Sequence, residues 1–237
     1  MNICIIPARG GSKRIPKKNI KEFRGKPIIK WSIEAAISSK CFQRVIISTD
    51  CDEIAKIALE SGAEVPFMRP SELSNDFCST RKVIEHGISW LDNKNQVFDY
   101  VCCLYATAPF VISQDIREGF NLINNVKKNH FLFTCTKFEY PIQRALFKSK
   151  NGLLKMFNPE NYEKRSQDFE ETYHDAGQFY IGSKNAWLQN ENILEGGTPL
   201  VIPRWRVQDI DSLEDWIRAE NLHKVVFNKM FNIQKGI

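Results

Sequence analysis

No apolar run in this sequence approaches the length that a membrane-spanning helix requires, so no membrane partner is expected. The seven cysteines are odd in number, contain no C-x-x-C, and include the adjacent pair Cys102-Cys103 inside an apolar run. That usage reads as buried free thiols in a reducing compartment and argues against a disulfide or zinc framework. There is no H-E-x-x-H and no G-x-S-x-G, which removes zincin and serine-hydrolase chemistry. Walker A is absent, because no Gly-Lys-Ser/Thr follows Gly10 or Gly11 at the needed spacing, and so is the G-x-G-x-x-G dinucleotide fingerprint. Neither internal repeats nor low-complexity tracts occur. Met1-Asn2-Ile3 enters the first apolar run without a signal-peptide pattern, so the expected location is cytoplasmic.

What remains fits a single folded domain over 1–237, with 43% hydrophobic and 26% charged residues and a net charge of +5 that welcomes an anionic ligand. Strand-like and helix-like runs alternate. Ile3–Ile6, Val45–Ile47, Val65–Met68, Tyr100–Leu104 and Phe131–Thr136 read as strands. Pro27 suits a first helical turn, and Ile29, Ile33, Ala36 and Ile37 form one stripe behind it. Asp50 with Glu53 predicts a capping box for a helix ending at Gly62; Val83, Ile84, Gly87, Ile88 and Leu91 mark another helical face, and Ser113 caps a third helix. The βαβα rhythm predicts an α/β fold, a doubly wound, mostly parallel sheet. It breaks at about 137–172, a polar insertion readable as disordered or as a small excursion. The sheet resumes with Gln178–Ile181 and Leu200–Ile202, and a last helix from Ser212 carries Leu213, Trp216, Ile217, Val225 and Val226.

The chain turns on residues 5–19. The first strand closes at Pro7, which has no N–H to donate. Gly10-Gly11 follows, allowing close approach of backbone to ligand, among Arg9, Lys13, Arg14, Lys17 and Lys18 with Ser12 and Asn19 as neutral donors. No acid interrupts the group. A donor-rich loop at the carboxyl end of a strand suits a polyphosphate, since open α/β sheets bind ligands at that end. Near the other end, Val207-Gln208-Asp209-Ile210-Asp211 puts two carboxylates on one side of an extended segment. Such a pair suits Mg²⁺ with phosphate oxygens, while Asp211 or Ser212 could equally cap the next helix.

The stretch Ala8, Arg9, Ser12, Lys13, Lys18, Asn19 resembles the A-R-x-x-S-K-x-x-x-x-K-N signature of the sugar-acid cytidylyltransferases, the CMP-sialate synthetase family, where it wraps the triphosphate of CTP. The resemblance extends over essentially the whole chain. It implies a Rossmann-like, three-layer nucleotidyltransferase fold and a nucleotide site that includes Ala8, Gly10, Gly11, Asn19, Arg69 of an R-P-x-x-L loop, and Ser79 and Thr80. It implies catalytic roles for Arg9, Lys18 and Asp211, Mg²⁺ on Asp209 and Asp211, and a homodimer packed through the excursion at 137–172.

On the acceptor side the chain departs from the sialate enzymes. Their Q-P-T-S-P-L-R becomes Tyr105-Ala106-Thr107-Ala108-Pro109-Phe110-Val111, and their R-P-N-G-A-I-Y becomes His174-Asp175-Ala176-Gly177-Gln178-Phe179-Tyr180. Both look like the branch that activates pseudaminic acid, which implies Tyr105, Thr107, Ala108, His174 and Gln178 as sugar-binding residues. The expected reaction joins CMP from CTP to the anomeric hydroxyl of a nine-carbon sugar acid and releases pyrophosphate; N-acetylneuraminic or legionaminic acid is the alternative acceptor. A D-x-D glycosyltransferase is the competing enzyme class, but its D-x-D usually follows a mid-chain strand. A nucleic-acid binder is disfavoured too, since Lys and Arg cluster at one turn and form no stripe with aromatics, so no nucleic-acid partner is expected.

Overall fold

A computed structural model describes residues 1–190 and 192–234, with side chains through Phe227 in the last helix. β1 (Asn2–Pro7) lies inside a six-stranded sheet of order β10-β6-β9-β5-β1-β4, flanked in parallel by β4 (Arg44–Ser48) and β5 (Tyr100–Leu104). Its unbroken apolar run follows from having both faces covered. Cys4 and Ile6 pack against α1 (Ile28–Ser39), α2 (Asp52–Glu60) and α4 (Ser113–Leu122). Ile3 and Ile5 point the opposite way, onto α3 (Thr80–Asn93) and α5 (Lys184–Gln189). The doubly wound architecture is therefore present.

β6 (Phe131–Lys137) and β10 (Thr198–Val201) are parallel to each other. β9 (Tyr173–Ser183), wedged between β5 and β6, is antiparallel to both. Its reversal brings its first residues, His174 and Asp175, to the sheet edge where β1 and β5 end. A third small core joins Ile15, Phe23, Phe110 and Ile210 to Trp216, Ala219 and Val226 of α6 (Leu213–Gln234). Phe23 belongs to a minimal ribbon, β2 (Glu22–Phe23) with β3 (Lys26–Pro27). This core fastens the loop after β1 to the end of the chain.

Local readings fail at identifiable points. Ile37 is exposed, and Pro27 stands just before α1 as its N-cap. No Asp50–Glu53 box forms: Asp50 accepts from the Gly10 N–H at 2.8 Å and Glu53 pairs with Lys17. Residues 65–68 form no strand: isolated bridges join Glu64 to Ile46 and Met68 to Thr49, consistent with Pro66 lacking a donor. Ser113 is already helical, and Asp115 accepts the Ile112 N–H at that end. In α6, Leu213, Ile217 and Val225 face outward, since the buried stripe is Trp216, Ala219, His223 and Val226. The excursion is ordered: β7 (Leu146–Lys148) pairs with β8 (Leu154–Met156). Among the described residues no helix is long and apolar enough to cross a membrane.

Candidate active site

The loop after β1 reverses direction beside β4. The Ala8 N–H donates to the Ser48 carbonyl, and Gly10 lies against Cys51, where an added Cβ would come within 3.0 Å of the cysteine Cβ. Close packing, rather than a left-handed backbone, is what glycine supplies at position 10. Gly11 meets nothing and leaves the tip bare. Asn19 is buried and donates to the Arg9 carbonyl at 2.9 Å, bracing the loop from behind. Arg9, Ser12, Lys13, Arg14 and Lys18 then line a cleft of about 320 Å³ together with Arg69, Thr80, Tyr105 and Thr107.

The late acidic pair lies beside the loop cations rather than in the lining of this cleft. Ile210 is fully buried in the third core beside Ile15, which turns its two flanking carboxylates outward. Arg14 Nη1 approaches Asp211 Oδ2 at 2.9 Å, and Lys18 Nζ approaches Asp211 Oδ1 at 3.4 Å. Helix capping falls to the next residue: Ser212 Oγ accepts from the Asp215 N–H, and Asp215 accepts from the Ser212 N–H at 2.8 Å. The capping reading thus falls on Ser212 and not on Asp211. Desolvation, with the nearby Asp211 charge, raises the Asp209 carboxyl above its ordinary range.

Arg69 is buried, with its nearest carboxylate, Asp50, at 3.9 Å. Its Nε and Nη2 have no hydrogen-bond partner among the described residues, a cost that a ligand carbonyl or phosphate in the adjoining cleft would relieve. Burial also pulls the guanidinium below its ordinary pKa.

Tyr105 separates this cleft from a second of about 530 Å³, lined by His174, Asp175, Tyr180, Arg204, Asp209 and Arg218 among others. The Tyr105 hydroxyl meets Thr80 Oγ1 at 3.3 Å, and burial lifts its pKa to about 12. Tyr180 donates to Asp175, whose other oxygen accepts the Gly177 N–H at 2.9 Å. The His174 ring lies tilted against Phe138 at the rim. Asp209 borders this second cleft while its neighbour Asp211 holds the phosphate-loop cations, so the D-x-D segment joins the two.

Five expected contacts lie elsewhere. Ala8 and Ala108 are buried in the main core and offer the clefts no side chain. Ser79 caps α3, accepting from the Lys82 N–H, and lies on the far side of Tyr105 from the loop. Gln178 is buried and donates to the Arg206 carbonyl at 2.7 Å, supporting the acceptor side from beneath. Thr107 borders the first cleft and not the second. Arg14, Asp175 and Tyr180 are site residues that the sequence reading did not select. The alternation that turns Tyr180 to the same side as Asp175 across the Gly177 bend depends on β-sheet register, which the sequence does not display.

A family model described as cytidylyltransferase matches residues 3–192. The pseudaminic acid cytidylyltransferase of Campylobacter jejuni subsp. jejuni serotype O:2 is 46% identical over 97% of this chain and 99% of its own length. The CMP-N,N'-diacetyllegionaminic acid synthase of Legionella pneumophila is 32% identical over 93% of this chain and 95% of its own. In fold, the chain is similar to CMP:2-keto-3-deoxy-manno-octonic acid synthetase complexed with CTP, with a TM-score of 0.68 over 94% of this chain and 98% of that one at 15% identity.

Proposed function

The chain belongs to the cytidylyltransferase family, and on that footing we propose that it transfers CMP from CTP to the anomeric hydroxyl of pseudaminic acid, releasing pyrophosphate. The observation that carries the reading is the meeting of Arg14 and Lys18 with Asp211, which ties the donor-rich loop of the first cleft to an acidic pair whose other member, Asp209, borders the second.

The division of labour follows from charge. Arg9, Lys13 and Lys18 neutralise the β- and γ-phosphates and the departing pyrophosphate, the part of such transfers that consists of positioning and charge stabilisation. Arg69 donates to the nucleotide. The acceptor enters the second cleft, where its hydroxyl approaches the α-phosphorus beside Asp209. The new P–O bond forms as the bond to the β-phosphate oxygen breaks, and Asp209, with its raised carboxyl pKa, takes the hydroxyl proton. Tyr180 and Asp175 present a fixed donor–acceptor pattern to the acceptor's polar substituents, and a mismatched stereoisomer leaves them unpaired.

The carboxylates of Asp209 and Asp211 fit a divalent cation: they crowd each other, and Asp209 is held in an environment that disfavours its charge. They are only part of a coordination shell, since no group of three or more His, Cys, Asp or Glu among the described residues forms one. Phosphate oxygens and water would complete it, as is usual for Mg²⁺. When bound there, the ion would supply electrophilic polarisation of the α-phosphate. We also propose a homodimer through the excursion, where Leu146, Leu153, Leu154 and Phe157 stand exposed.

Pyrophosphate release from CTP and Mg²⁺ tests the reading across pseudaminic, legionaminic and N-acetylneuraminic acids. Fastest turnover with pseudaminic acid is expected. A clear preference for either other acid replaces the acceptor, and no release with any of them removes the reaction.

A further inference from the structure

Among the acids paired with the loop cations, Asp76 is one that the reaction does not use. Asp76 Oδ1 lies 2.8 Å from Arg9 Nη1, and its Oδ2 lies 2.5 Å from Lys13 Nζ. It thus bridges the two donors that the distal phosphates of a nucleotide would need, with the two-oxygen geometry of a phosphate edge. Arg9 and Lys13 hold its carboxyl below the ordinary range, so it is fully charged at neutral pH.

Its loop is shaped without help from that bridge. Asn75 Oδ1 accepts the N–H groups of Phe77 and Cys78, both at 2.9 Å, and Asn75 Nδ2 donates to the Glu72 carbonyl. The tip carries Phe77, which is 97% exposed and packs on nothing. Asp76 can therefore swing off the cations without disturbing a core. With Lys13 largely exposed and Arg9 and Asp76 partly so, such a bridge is weak enough to exchange and strong enough to matter.

From these contacts, and resting on the reading of the cleft as a CTP site, we propose that Asp76 is a built-in competitor for the distal phosphates. A ligand that reaches Arg9 and Lys13 must displace it, whereas one that stops at the α-phosphate leaves it in place. Competition of this kind lowers affinity for CTP and for pyrophosphate by one common factor and leaves CMP untouched. It selects by penalty rather than by added contact, and it hastens departure of pyrophosphate once the α–β bond has broken.

Calorimetric titration with CTP, pyrophosphate and CMP, each with Mg²⁺, tests this on the wild type, Asp76→Asn, Asp76→Ala and the control Asp92→Asn. The control makes the same charge change at the far end of α3, where Asp92 pairs with Lys184. Both Asp76 variants are expected to bind CTP and pyrophosphate about 3–10-fold more tightly, by matching factors, with CMP and the control unchanged. Equal tightening of all three ligands would reduce Asp76 to general field and overturn the proposal. Weaker CTP binding in Asp76→Asn would overturn it in favour of Asp76 as a positioning residue for Arg9. A wild type that binds neither CTP nor pyrophosphate would instead defeat the CTP reading itself.

Discussion

Lys18 Nζ donates to the backbone carbonyl of Ile210 at 2.7 Å, a bond between groups 192 residues apart in the chain. The lysine thereby fixes the segment whose neighbouring carboxylate, Asp211, lies 3.4 Å away. On the proposed reading it has two duties, one to the chain and one to phosphate. Lys18→Ala and Asp211→Ala are each expected to lower turnover by about 10–100-fold, the effect of one charge-assisted contact felt in the transition state. Steady-state pyrophosphate release with a melting curve checks this. Near wild-type turnover in a folded variant would remove that residue from the chemistry.

Asp209 carries the opposite consequence for stability. Its folded pKa is raised, so its charge weakens the native state at pH values above that pKa, and the penalty fades as pH falls towards the unfolded value. Asp209→Asn should therefore melt higher than the wild type at pH 7 while losing most activity, and the gain in Tm should shrink on acidification. A variant that melts lower at pH 7 contradicts the assignment.

His223 lies under the phosphate loop between Phe23, Trp31, Phe110 and Phe227, and burial depresses its pKa to about 4. The unfolded chain takes up this proton near the ordinary value of 6.5, well before the folded protein does. Stability contributed by the neutral ring is thus present above that pH and lost on the way down to about pH 4, with a slope approaching ~1.4 kcal/mol per pH unit. Denaturant titrations of wild type and His223→Phe between pH 7 and 4.5 should show that component only in the wild type.

Beneath the acceptor cleft, Arg206 and Asp115 form an ion pair in which both side chains are under one-tenth exposed. Burial raises the Asp115 carboxyl even with the guanidinium beside it, which marks the pair as costly to assemble. Arg206→Met should destabilise the protein by about 3–5 kcal/mol by leaving a buried carboxylate alone, and Asp115→Leu in the same chain should restore much of it. Additive losses in the double variant would show that the two residues act independently.

In the excursion, Leu154 is 67% exposed on β8, and Phe147 of β7 packs against Phe157 at a ring separation of 5.0 Å. Leu154→Asp is expected to convert a dimer into a monomer by light scattering while sparing the melting temperature of the main sheet. A monomeric wild type would dismiss this surface as the subunit contact.

The loop of the first cleft and the outward turn of the acidic pair were readable because they come from one continuous stretch, Arg9 to Asn19, and from a two-residue alternation at Asp209 and Asp211. Each needs only local geometry to be placed. The acceptor half was less so. Gln178 looked like a ligand contact but turns inward to the Arg206 carbonyl, since the bend at Gly177 shifts the register of β9. Ala108 and Ala8 matched a motif while their side chains serve the core. Asp50 read as a helix cap until its oxygen was found on the Gly10 N–H, a partner forty positions away. Spacing cannot announce such long-range bonds.

Lys137, which ends β6, is registered directly opposite Tyr173, which begins β9. The thirty-odd residues between them therefore leave and rejoin the sheet at a single rung, like a pendant clipped to a chain. Whatever that pendant gains, loses or exchanges, the strands behind it need not slide. Evolution can thus remodel the rim above the second cleft while the loop after β1 goes on undisturbed.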